Sequence, residues 1–104
     1  MSEKKFTATR EKTPDGVRFI VKGWLDSSYA DELQLKLEEA LKDGQINIIL
    51  NMSDVEYLCS NGIRVILKTY KDAKEASGKL RIEEPSESVR KILTLTALDK
   101  MLTE

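Results

Sequence analysis

Asn51–Leu67 reads NMSDVEYLCSNGIRVIL, and the fold turns on how that stretch is divided. An apolar run enters it from Ile46 and an amphipathic pattern leaves it at Ile63, with a Cys, a Ser, an Asn and a Gly between them. The run QINIILNM is short and rich in Ile, bounded by Gly44 before it and by Ser53-Asp54 after it. Its apolar residues at Ile46, Ile48, Ile49, Leu50 and Met52 predict a strand buried on both faces, the pattern of a parallel pair. From Ser60 the spacing becomes helical. Ile63, Ile66, Leu67, Tyr70 and Ala73 form an apolar stripe, and Arg64, Lys68, Lys71, Lys74 and Glu75 lie mostly outside it, so a helix is expected over 60–77.

Working outward, SGK at Ser77–Lys79 closes that helix and LRIEE is a brief strand stopped by Pro85. Ser86 opens a third helix through Val89, Ile92 and Leu93, and the tail LTALDKMLTE adds a turn packed through Leu98 and Leu102. Upstream, KFTATREKTPDGVRFIVKGWL is two strands about a TPDG turn: Pro14 pre-sets the backbone angle and Asp15-Gly16 tolerates positive φ. Val17, Phe19 and Val21 alternate with Arg18, Ile20 and Lys22, which gives that strand one buried face. Trp24 at its end reads as packing. DSSYADELQLKLEEALKDG is a helix capped by Asp26, Ser27 or Ser28, with a stripe of Ala30, Leu33, Leu37, Ala40 and Leu41 and an end at Gly44. Leu35 falls off the stripe. The order β-β-α-β-α-β-α implies a right-handed parallel crossover between 46 and 83. The expected fold is α/β: one domain over 1–104, a mixed sheet of about four strands with helices packed on it.

Composition narrows the function. The chain has 104 residues, 17 Lys plus Arg and 18 Asp plus Glu, for a net charge of -1. A general nucleic-acid binder would show a basic excess. No apolar run approaches the roughly 18 residues of a membrane span, and MSEKKFTATR has no hydrophobic segment after it, so a cytoplasmic chain is expected. One Cys excludes an internal disulfide, and the absence of His removes Ser-His-Asp and Cys-His catalysis and most zinc sites. No metal, no cofactor and no enzymatic activity are expected. Asp26 and Asp54 stand on separate loops and make a weak metal pair.

Ser60 sits where a strand-loop meets a helix N-terminus, among N–H groups with no partner inside the helix. By residue type and position it is a helix cap. By the same geometry it is a place where phosphate is tolerated, adding roughly -1.5 to -2 charges without unfolding the chain. Gly62 in the first turn leaves the approach open. Cys59 reads as a small half-buried residue, since no His is present to activate it. The Arg64–Lys74 row reads as a solvated face that can also meet an acidic partner groove.

LNMSDVEYLCSNGIRVIL resembles the signature of the STAS domain of bacterial anti-sigma factor antagonists: an apolar strand, a loop ending in an apolar pair, a serine, a small residue, a glycine and an apolar helix. Ser60 falls on the serine that the family phosphorylates, Asn61 on the small residue and Gly62 on the glycine. GWLD at Gly23–Asp26 is similar to the family's strand-to-helix turn, and SVRKILTLTALDKMLTE to its closing helix region. Cys59 and Asn51 stand where many members carry Asp. The resemblance implies a phosphorylation-controlled binding protein. Its partners would be an anti-sigma factor with serine-kinase activity and a PP2C-type serine phosphatase, and Asp26, Asp54, Cys59, Asn61, Gly62 and Arg64 would rim the partner surface. Two further readings are an interaction module of a larger signalling or transporter assembly without phospho-control, and a small-molecule or nucleotide-binding module. Oligomeric state is not legible.

Overall fold

The computed structural model describes residues 5–103, so the first four residues of MSEKKFTATR and Glu104 lie outside it. The elements are β1 (Phe6–Thr13), β2 (Gly16–Leu25), α1 (Ser27–Lys42), β3 (Asn47–Leu58), α2 (Ser60–Glu75), β4 (Lys79–Glu83), α3 (Glu87–Leu95) and α4 (Asp99–Thr103). The strands lie in the order β1-β2-β3-β4. β1 and β2 are antiparallel, and Thr13 pairs with Gly16 across the expected turn. β2–β3 and β3–β4 are parallel, as the strand-helix-strand unit requires.

One face of this mixed sheet carries the core. Val17, Phe19 and Val21 of β2 and Ile48, Leu50 and Met52 of β3 are buried in a single cluster. The same cluster takes in Ala30, Leu33, Leu37 and Ala40 of α1, Val65 and Ile66 of α2, Val89 and Leu93 of α3, and Leu102 of α4. Each fully buried Leu, Ile or Phe contributes about 1.5–3 kcal/mol by leaving water. Leu35 lies off the stripe as expected and is 68% exposed.

The other face is polar. Arg18 donates to Glu11 at 3.0 Å and its Nε lies 2.8 Å from Glu83; the Asn51 amide donates to Glu83 at 2.9 Å. Bonding to Glu11, reinforced by the Glu83 charge, raises the Arg18 pKa above its ordinary value. This face corrects the expectation of a β3 buried on both sides. Ile48, Leu50 and Met52 are inside, whereas Ile49 and Asn51 are only half-buried beside that polar network.

β3 also runs further than its composition suggests. It passes through Ser53-Asp54 to Leu58, pairing Trp24 with Tyr57 and Leu25 with Leu58. Two irregularities in the register, one at Ser53 and one at Glu56, let polar residues enter the strand without moving Val55 or Leu58 out of the core. β4 stops at Glu83, opposite Asn51, so β2 and β3 project beyond it as a parallel pair. Ser86 fastens the side of β3 that β4 leaves. Its N–H donates to the Met52 carbonyl at 3.0 Å, its hydroxyl donates to the Val55 carbonyl at 2.6 Å, and its Oγ accepts the Val89 N–H at 3.2 Å as the cap of α3.

The buried stripe of α2 is Gly62, Val65, Ile66, Thr69 and Ala73, with Ile63, Leu67 and Tyr70 packed partly against it. That is a rotation of the expected stripe. Thr69 enters the core because its hydroxyl donates to the Val65 carbonyl at 2.9 Å, which removes the cost of burying it.

Candidate functional site

The projecting ends of β2 and β3 bring the starts of α1 and α2 side by side. Cys59 N–H donates to the Leu25 carbonyl at 3.0 Å, so the residue that opens α2 is tied to the residue just before the cap of α1. Asp26 is that cap: its Oδ1 accepts the Tyr29 N–H at 3.1 Å. Of the three expected candidates, Asp26 alone takes the role.

α2 is capped by Cys59, not by Ser60. The thiol accepts the Gly62 N–H at 3.3 Å and the Cys59 carbonyl accepts from Ile63 at 3.1 Å. Ser60 is the first helical residue. It is exposed, and among the described residues its hydroxyl has no hydrogen-bond partner. The cap reading of Ser60 is therefore corrected, and the reason is positional: Cys59 holds the extended backbone geometry of a cap, so the side chain of the next residue turns away from the free N–H groups. A thiol is a weak acceptor. Cys59→Asp should stabilise the chain by about 1 kcal/mol through a stronger cap beside the positive helix end. Thermal denaturation checks this, and a lowered Tm would refute the capping role.

Gly62 does not leave an approach open. It is buried, and a Cβ placed on it would lie 2.9 Å from Leu58 Cδ1 and 3.1 Å from Leu25 Cγ. The missing side chain faces inward, where it lets α2 settle onto the two leucines that end β3 and β2. Asn61 and Arg64 do come together on the outer surface: the Arg64 guanidinium donates to Asn61 Oδ1.

Asp54 is separated from this group. It lies within β3 and faces Lys22 at 3.8 Å, four residues and roughly 13 Å of strand before Leu58. It does not stand on a loop as expected, because the strand continues past it. Among the described residues, no three of His, Cys, Asp and Glu gather where they would hold a metal ion.

One feature was hidden from sequence reasoning. Trp24 and Tyr57 stack at 4.7 Å between ring centroids, on the strand ends beside the helix mouth, and Tyr57 is 42% exposed. Their adjacency depends on the shifted β2–β3 register, which no residue spacing reveals.

The STAS domain family model matches residues 8–103. The chain belongs to the STAS domain family. This STAS chain is 26% identical over 81 residues to the anti-sigma F factor antagonist of Paenibacillus polymyxa, an alignment that covers 77% of this chain and 69% of the relative. Its fold is similar to that of the anti-sigma factor antagonist SpoIIAA in its unphosphorylated form, with a TM-score of 0.82, 21% identity, and coverage of 93% of this chain and 86% of the other. Against the phosphorylated form of the Bacillus cell fate determinant SpoIIAA the TM-score is 0.75 at 21% identity, covering 95% and 89%. At that identity the likeness is one of fold. The two departures of this STAS chain from the common signature have local structural roles. Cys59 caps α2, and Asn51 donates to Glu83, where an Asp would set two carboxylates against each other.

Proposed function

We propose that this STAS chain is an anti-sigma factor antagonist whose docking surface is switched by phosphate on Ser60. The unmodified chain binds an anti-sigma factor and so frees a sigma factor. The anti-sigma factor is also the kinase. Transfer from ATP forms a bond between Ser60 Oγ and the γ-phosphorus and breaks that phosphorus from its β,γ-bridging oxygen. ADP leaves, and the hydroxyl proton passes to a base on the kinase. A PP2C-type phosphatase reverses the change by hydrolysis. The chain contributes an acceptor and a surface and catalyses nothing itself, and the exchange takes place in the cytoplasm. Among the described residues no helix is long and apolar enough to cross a membrane.

The observation that carries this reading is the exposed Ser60 hydroxyl, without a hydrogen-bond partner among the described residues, on the first residue of a helix that another residue already caps. Phosphate there adds roughly -1.5 to -2 charges at the positive end of the helix, so the fold tolerates it while the surface gains negative charge. In this reading the docking surface is formed by Asn61 and Arg64 on the first turns of α2, Asp26 at the start of α1, and the Trp24–Tyr57 pair on the strand ends.

The test is capture from the native cell extract. Ser60→Ala is expected to retain the partner, and Ser60→Asp to lose it by at least about tenfold, the equivalent of 1.4 kcal/mol. Equal capture by the two variants would sink the switch.

A further inference from the structure

Arg64 is placed to do more than meet a partner. On a helix, residues four apart lie on one face, and long side chains lean back toward the N-terminus. Arg64 follows this pattern, since its guanidinium already reaches back to Asn61 in the first turn. Ser60 lies four residues before it on the same face, exposed and with its hydroxyl unengaged among the described residues. An anion N-terminal to a cation at this spacing is the favourable orientation. Asn61 offers the guanidinium a neutral carbonyl; a phosphate offers a dianion with several acceptor oxygens that match the planar fork of Arg.

Among the described residues of α2, Arg64 is the cation one turn from Ser60. Asp26 stands at the neighbouring helix start and Glu56 is exposed on β3, and both are acidic. Lys68, one turn further along α2, is engaged by Asp72 at 2.9 Å.

We propose that phosphate on Ser60 takes the Arg64 guanidinium from Asn61 and holds it against the mouth of α2. This rests on the reading of Ser60 as the acceptor and adds a second half to the switch. Modification places an anion on the docking surface and at the same time withdraws a cation from it. Asn61 parks Arg64 over the first turn in the unmodified chain, so the exchange needs one side-chain movement and no change of backbone.

The experiment is a phosphorus NMR titration of the full chain with phosphoserine installed at position 60 during translation. The midpoint of the second phosphate ionisation is compared in the native background and in Arg64→Gln, Arg64→Lys and Asn61→Ala. The helix dipole acts equally on all four and cancels. The native midpoint should lie at least about half a pH unit below that of Arg64→Gln, because a bound guanidinium favours the dianion. Arg64→Lys should fall between them, and Asn61→Ala should match the native chain or lie lower. Equal midpoints in the native chain and Arg64→Gln, both with dispersed amide spectra, would overturn the clamp. Because the phosphate is supplied by translation, that result would leave the switch itself standing. An unmodified Ser60 in native cells would instead sink the switch without touching this comparison.

Discussion

Gly23→Ala should destabilise the chain by about 3 kcal/mol, from left-handed backbone strain plus an overpacked contact. The position is constrained twice. Its φ is +94°, and a Cβ there would lie 1.9 Å from the Lys5 carbonyl oxygen. That same oxygen accepts the Trp24 N–H at 2.8 Å, so the start of β1 cannot move away without breaking the bond. A loss of this size is a large share of the 5–15 kcal/mol that holds typical domains folded, and it should lower Tm by more than about 10 °C. Urea denaturation checks it through a lower midpoint at unchanged slope. A loss below about 1 kcal/mol would mean that the contact at Lys5 yields freely.

Leu50→Ala and Ile49→Ala, one residue apart on β3, should differ severalfold. Leu50 is fully buried in the cluster shared by the sheet and helices, and its truncation should cost about 3 kcal/mol in lost transfer energy and cavity formation. Ile49 is half-buried on the polar face, where water can fill the space, and its truncation should cost about 1 kcal/mol. The paired denaturation midpoints test whether β3 is one-sided. Equal losses would restore the two-sided strand that its apolar run suggests.

That run shows where sequence reading stops. Period-two alternation in Val17–Val21 identified the inner face of β2, and the Asp26 cap and the place of the turn before Gly16 followed from local chemistry, although neither Asp15 nor Gly16 takes the positive φ expected there. In β3 the Ile residues carry no alternation, so the outer face becomes visible only when Glu83 and Arg18 arrive from other strands. Ser53-Asp54 resembles a strand end in composition, yet pairing with β2 carries the strand through. The site divides in the same way. Ser60 and its helix start were legible because the period changes there. Cys59 as the cap was not, because thiols are poor caps by residue type and only backbone geometry identifies this one. The inward role of Gly62 is not legible locally, because its neighbours Leu25 and Leu58 come from two strands.

The attachment of Ser86 to β3 bears on how the sheet edge is protected. Where β4 stops, the carbonyls of Met52 and Val55 would form an open edge, a template on which a strand of another molecule could add. The Ser86 amide and hydroxyl occupy both acceptors. The strand ends that carry the aromatic pair, just before the start of α2, therefore project past β4 while the edge beside them is closed to strand addition from another molecule.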